Sequence, residues 1–271
     1  MHAIESFNNH LPVKVKFGEG ISTALPVVVD ELGASKVFLM VDAGIEKFNP
    51  AAKALIDRLV SISHLTVTIF EKPAGEPTVE MVDDATAAFK SSNSEVVVAL
   101  GGGSVIDTAK AARLCAQLNC TFREFQAQTP NYPAPTVALI AIPTSAGTGS
   151  EVSGGSVISD PVSGIKAGIA NANLRAQVAL VDPVLTYSMP PTMTANTGID
   201  ALAQAIAGII AFTPGGLGIR ELFVTGAAVA MGSSFDTGLL AASTDRGVML
   251  ASAVVLGSIG FLYSVPRLRR A

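Results

Sequence analysis

The residues best placed to do chemistry are small ones. Val96-Val97-Val98-Ala99-Leu100 runs into Gly101-Gly102-Gly103-Ser104-Val105-Ile106-Asp107, and an amphipathic segment follows. That order predicts a strand, a glycine turn and a helix. Three glycines let the backbone approach a pyrophosphate closely, and the first turn of the helix aims unpaired N–H groups and a partial positive charge at it. Ser104 and Asp107 have a second reading, because their spacing also fits a capping box that would merely start the helix. A second small-residue segment, Thr144-Ser145-Ala146-Gly147-Thr148-Gly149-Ser150-Glu151, follows the apolar run Thr136–Pro143 and is rich in hydroxyls. Two such loops at strand ends could clasp one ligand.

The elements that must position these loops are legible as an alternation. Val13–Phe17, Lys36–Asp42, Leu65–Glu71, Glu95–Leu100 and Thr136–Ile142 read as strands rich in Val, Ile and Phe. Between them Ile21–Leu32, Ala51–Ser61, Val79–Ser91 and Ser104–Leu118 place apolar residues near i, i+3 and i+4, with Pro or Gly at their ends. Parallel strands need crossover connections, so the alternation predicts an α/β fold with helices on the faces of a parallel sheet. Ligands of such sheets bind at the carboxyl ends of the strands. Residues 129–135 read as a surface loop. Asp182-Pro183 and Met189-Pro190-Pro191 mark a domain boundary.

Composition bounds the function. The 271 residues allow one large or two modest domains, and with 49% hydrophobic and only 15% charged residues the chain is no disordered polymer. A net charge of −4 offers no footprint for phosphate backbones, so nucleic acid is not an expected partner. Cys115 and Cys120 lack metal-ligand spacing, and no secretory leader opens the sequence, which points to a reducing, cytoplasmic setting.

Taken together, Gly101–Asp107, Ile142–Glu151 and the series Asp182-Pro183, Met189-Pro190 and Thr197-Gly198-Ile199-Asp200-Ala201-Leu202 resemble the iron-containing (group III) alcohol dehydrogenase family. The resemblance runs from about residue 12 to about residue 207. It implies a Rossmann-like, NAD-binding α/β domain over residues 1–187 and an all-helical part over 188–271, truncated or replaced relative to the family. A cleft between the two would let a divalent metal hold the alcohol. By position, Asp42 corresponds to the ribose-binding acid, and a carboxylate there favours NAD over NADP by repelling a 2′-phosphate. Gly102, Gly103 and Ser104, with Asp107 in the same loop, would face the pyrophosphate, while Thr144, Ser145 and Thr148 would bond the nicotinamide side and the phosphates. Lys166 matches a lysine near the cofactor's ribose; read without the resemblance it is a solvated surface residue. Leu185 and Met189 match apolar positions beside the cofactor and would equally suit a core. Glu76 stands where the family often has Asn.

The family's metal ligands are an Asp, a His four residues later and two more His farther on. The chemistry needs them because a Lewis-acid cation stabilises the alkoxide from which hydride leaves. Here Asp200 is followed at i+4 by Gln204, and the histidines are His2, His10 and His64, all before the glycine loop. An amide oxygen is a poor substitute for imidazole on iron or zinc, so a metal expected from the family is not expected to be retained. No catalytic residue is assigned.

The remaining residues raise a membrane alternative. No charge falls between Asp200 and Arg220 or between Arg246 and Arg267. Thr213–Glu221 loosely resembles a segment of the integral-membrane lysylphosphatidylglycerol synthase/flippase family, and Gly247–Val265 approaches the length of a bilayer span, with Arg267, Arg269 and Arg270 as its flank. Buried helices of a remnant domain would look the same. The expected activity is NAD-linked oxidation of a small alcohol or reduction of the aldehyde. The alternatives are an NAD-binding module without catalysis and a protein tethered to membrane through residues 208–265. A homo-oligomer is compatible with each.

Overall fold

A computed structural model describes residues 12–127 and 131–209. Its centre is a six-stranded sheet of β1 (Lys14–Phe17), β2 (Lys36–Asp42), β3 (Thr66–Lys72), β4 (Val96–Gly101), β5 (Ala138–Pro143) and β8 (Val178–Val181). The strand order is β1-β8-β5-β4-β2-β3, and every pairing is parallel. The intervening β6 (Gly155–Asp160) and β7 (Ile165–Ala170) form a separate antiparallel pair.

Side chains alternate across the strands, so the inner strands β2, β4 and β5 each feed two cores. On one face Val37, Leu39 and Val41 of β2 and Val96, Val98 and Leu100 of β4 pack with Leu25, Val28 and Val29 of α1 (Leu25–Glu31). Leu55, Ile56 and Leu59 of α3 (Pro50–Val60) complete that layer, and a single turn, α2 (Ile45–Phe48), precedes α3. On the other face Phe38, Met40, Val97 and Ala99 meet Val82, Ala85 and Phe89 of α4 (Val79–Ser92) and Ile106 and Ala109 of α5 (Gly103–Leu118). A short α6 (Phe122–Ala127) adds Phe122 and Phe125. All six residues of β4 are buried, as the central position of a sheet covered on both faces requires.

Local chemistry sets the helix ends. Asn49 accepts the Ala52 N–H at 3.0 Å and Pro50 opens α3, while Thr78 accepts the Met81 N–H to open α4. Asn93 and Asn119 end α4 and α5 in the left-handed conformation, which Asn tolerates better than most residues.

The five strands and four helices read from the alternation are present with ends shifted by one or two residues, except that Ile21–Ala24 is a 3-10 turn leading into α1. Strands β6, β7 and β8 and the helices α2 and α6 add to that reading. The capping-box reading of Ser104 and Asp107 is corrected. The residue before α5 is Gly102, no side chain caps the helix, and the Asp107 carboxylate is turned to other partners.

A last described helix, α7 (Pro191–Ile209), carries the division of the chain into two units between Thr194 and Ala195. Asp182 is not a linker residue. Its buried carboxylate accepts the N–H groups of Gly20, Ser22 and Val184 at 3.0–3.1 Å, and so ties the end of β8 to the segment entering α1. Among the described residues no helix is long and apolar enough to cross a membrane, and the Thr213–Glu221 and Gly247–Val265 segments lie outside them.

Candidate functional site

The carboxyl ends of β2, β4 and β5 come together, and the loops that follow them are laced by hydrogen bonds. Asp42 ends β2 and its Oδ2 accepts the Gly102 N–H at 3.2 Å. Thr144, following β5, donates its N–H to the Gly101 carbonyl at 3.0 Å.

The three glycines do different work. A Cβ on Gly101 would lie 2.6 Å from Val105 Cγ2 and 2.9 Å from Asp42 Oδ2, so the turn is closed by protein there. A Cβ on Gly103 would lie 2.8 Å from Thr148 Oγ1 and 2.9 Å from its Cγ2, which lets the second loop rest on the first turn of α5. Gly102 is different: its φ of −71° suits any residue, and the nearest atom to a Cβ would be Ser145 Oγ at 3.6 Å. Among the described residues no atom crowds this position closely enough to require glycine.

Two cavities flank the loops. One, of about 670 Å³, is lined by Asp42, Gly44, Ile45, Phe48, Ile69 and Glu71. The other, of about 350 Å³, brings together Gly103, Ser104, Asp107, Thr148 and Lys166, with Glu76. Thr144 and Ser145 are half-buried between these strand ends. Leu185 is elsewhere, in the core below the sheet with 1% of its surface exposed, and Met189 lines neither cavity.

Asp107 is engaged with the protein. It accepts the Ser150 hydroxyl and, at 3.0 Å, the Val157 N–H, and it stands 3.7 Å from the Lys110 ammonium. Lys110 is fully buried and donates to Ser150 Oγ, Ser153 Oγ and the Gly155 carbonyl. Burial pushes its pKa down to about 8, against the pull of Asp107. This pair staples the second loop and β6 to α5. Only the i+3 spacing of Asp107 and Lys110 on a helix hinted at it in the sequence.

Lys72, aligned with Asp42 across β2 and β3, is also buried and donates to the Pro73 and Gly75 carbonyls at 2.7 and 2.8 Å, shaping the loop that carries Glu76. Burial lowers its pKa while Asp42 opposes the shift. Lys166 is exposed and donates to Glu76 Oε1 at 2.7 Å. That contact holds the Glu76 carboxyl below its ordinary pKa.

Asp200 and Gln204 lie four residues apart on α7, and their side chains are outside the described ones. His64 is exposed and sits 3.0 Å from Asp30, remote in role from either loop. Among the described residues no group of three or more His, Cys, Asp or Glu side chains is placed to hold a metal ion.

This geometry has known counterparts. The probable alcohol dehydrogenase EutG of Salmonella typhimurium is 39% identical over 178 residues, 64% of this chain and 43% of that protein. The choline dehydrogenase of Bacillus subtilis is 37% identical over 198 residues, 72% of this chain and 49% of its own length. The chain thus spans about half the length of these relatives. The crystal structure of sulfoacetaldehyde reductase from Bifidobacterium kashiwanohense, in complex with NAD+, superposes with a TM-score of 0.69 at 30% identity, covering 88% of this chain and 64% of that one. Residues 12–183 match the family model of the iron-containing alcohol dehydrogenases. That match covers more than half of the sequence, and the chain belongs to the iron-containing alcohol dehydrogenase family.

Proposed function

We propose that the chain binds NAD(H) across the carboxyl ends of β2, β4 and β5 and takes part in oxidation of a small alcohol or reduction of the corresponding aldehyde. The observation that carries this reading is Gly102. Its neighbours Gly101 and Gly103 are glycines because protein atoms crowd them, whereas a Cβ on Gly102 would meet only Ser145 Oγ at an ordinary contact distance of 3.6 Å, so a ligand is what would call for a bare backbone there. A pyrophosphate fits there, at the uncapped N-terminus of a 16-residue helix whose first N–H groups need acceptors.

In this reading Gly102, Gly103 and Ser104 receive the diphosphate, with Thr144, Ser145 and Thr148 closing over it and Lys166, in the same cavity as Ser104, beside a ribose and the phosphate it carries. Asp42 takes the ribose hydroxyls through the oxygen not used on Gly102, and its charge disfavours a 2′-phosphate. The larger cavity beside it, walled by Ile45, Phe48 and Ile69, suits the adenine ring. Asp107 acts by holding the second loop rather than by touching the cofactor, and Leu185 acts through the core. When bound, the nicotinamide supplies the hydride acceptor. The protein's part is to bind and orient it. The nucleotide-binding domain is read as residues 1–187.

A second reading, an NAD-binding module without turnover, is favoured by the donor set. Asp200 and its i+4 neighbour Gln204 on α7, with all three histidines upstream of the glycine loop, do not match the ligands an iron or zinc ion needs. Calorimetric titration with NADH and NADPH tests the binding reading that both share. NADH should bind more tightly than NADPH, and Gly102→Val should lose binding while its circular dichroism stays that of the parent. A folded Gly102→Val protein that binds NADH normally would refute the placement, and equal affinities for the two cofactors would remove the role given to Asp42.

A further inference from the structure

The smaller cavity contains a single ammonium in its lining, Lys166 of β7, and that cation is already paired. Glu76 reaches it from the loop after β3 at 2.7 Å, and the Ser159 hydroxyl holds the other carboxylate oxygen at 3.3 Å. The Ser159 N–H also donates to the Pro77 carbonyl at 2.8 Å, so β6 and the Glu76 loop are fixed to each other and the carboxylate is aimed rather than adrift. The remaining acid of the lining, Asp107, is committed to Ser150, Val157 and Lys110. The cavity assigned to a diphosphate-bearing ligand therefore has its one free-standing cation neutralised by a neighbouring carboxylate.

We propose that Glu76 is an affinity-setting counter-ion, which competes with the ligand's phosphate for Lys166. The inference rests on the dinucleotide reading and concerns a residue that reading does not use. Its basis is the contrast between the two ion pairs of this region. Lys110 and Asp107 are shielded, and Lys110 is bonded on three sides. Lys166 and Glu76 both keep more than half of their side-chain surface in water, so their pair breaks at low cost. An anion entering beside Ser104 takes Lys166 over, and Glu76 returns to solvent with Ser159. Glu76 is thus a positioning residue, acting through Lys166.

Two variants separate this from a structural role. Glu76→Gln keeps the shape and a hydrogen-bond acceptor but removes the charge; Glu76→Asp keeps the charge. NADH titrations at several salt concentrations should show E76Q binding about two- to fivefold more tightly than the parent at low ionic strength, the range an exposed ion pair supports. The gain should fade as salt rises, because the freed lysine is screened. E76D should stay near the parent. Inorganic pyrophosphate, titrated in parallel, reports the charge effect without the nucleosides and should show the same order. Unchanged or weaker binding by E76Q, or a gain that salt does not erode, would overturn the proposal. If none of the proteins binds NADH, the dinucleotide reading falls, and the counter-ion is then judged on pyrophosphate alone, where absence of a gain in E76Q overturns it as well.

Discussion

Asp182 is the residue on which the strand ends lean most heavily. It is 2% exposed and accepts from three backbone N–H groups and, at 2.5 Å, from the Ser22 hydroxyl. Burial alone would raise its pKa, but the Ser22 hydroxyl and the N–H donors of Gly20, Ser22 and Val184 outweigh burial and leave it lowered. A carboxylate with a depressed folded pKa contributes stability that is fully present above its unfolded value, near pH 4, and that is lost as pH falls through the folded value. Asp182→Asn should therefore cost about 2–4 kcal/mol at neutral pH, since bonds to a charged acceptor are replaced and donors are left unmet. Urea denaturation at pH 7 and below pH 4 measures this. The gap between parent and variant should narrow in acid; a gap that stays constant would show that the carboxylate charge is not what holds these donors. At this scale the sequence was a partial guide. It singled out the dipeptide Asp182-Pro183 but as a break in the chain, because the Gly20 and Ser22 donors that use the carboxylate are about 160 residues away.

The glycine turn belongs to the scale of elements, where strand β4, helix α5 and the loop after β5 must share one small space. Gly103 is where α5 and that loop touch. Alanine there would press on Thr148 Oγ1, Cγ2 and Cβ at 2.8–3.1 Å, so the whole residue would have to move. Overpacking of this kind costs about 1–3 kcal/mol. Gly102→Ala meets only an ordinary contact, and its weak capping penalty is set against the lower entropy of the unfolded chain, so its net effect should stay within about 1 kcal/mol. Denaturation midpoints of the two alanine variants give the comparison, and a larger loss for Gly102→Ala would show that the turn is shaped by something other than these contacts. Elements with long apolar runs, such as β2 and β4, were legible because one period serves both faces of a covered sheet. Strands β6 and β7 were not, since Gly155–Asp160 sets only Val157 and Ile158 among Gly, Ser and Asp and is held by the Val157 bond to Asp107 and the Ser159 bond to Pro77. Helix α6 was hidden likewise. It is six residues long and starts where Asp83 accepts the Phe122 N–H, a contact no local pattern announces. The site followed the same rule: residues of one loop could be read, whereas Asp107 with Ser150, or Glu76 with Lys166, join positions far apart in the chain.

At the scale of the whole molecule, the fold and the chemistry make different demands on the chain. Among the described residues all eight strands, both core layers and both cavities fall within residues 12–185. A chain ending at Thr194 should accordingly fold, with cooperative thermal unfolding and NADH affinity close to that of the 271-residue protein; an unfolded product would show that the sheet depends on residues beyond α7's first turn. Chemistry places the opposite demand. Alcohol oxidation in this family is expected to need a Lewis acid, and catalytic metals usually have three or more protein ligands, whereas Asp200 and Gln204 offer one anionic and one neutral oxygen. The purified chain should therefore carry iron or zinc well below one ion per molecule by mass spectrometry. NAD reduction with small primary alcohols and diols should be very slow, because general-base help alone is worth about 10²–10⁴-fold and none of the three histidines follows the glycine loop. Gln204→His should restore little. It completes the Asp-x-x-x-His pair on one helix face, but two ligands still fall short of a catalytic set unless water, substrate or a second chain supplies the rest. Stoichiometric metal in the parent, with turnover abolished by Asp200→Ala, would sink this expectation and direct attention to Glu221, Asp236 and Asp245 as the carboxylates left to complete the shell.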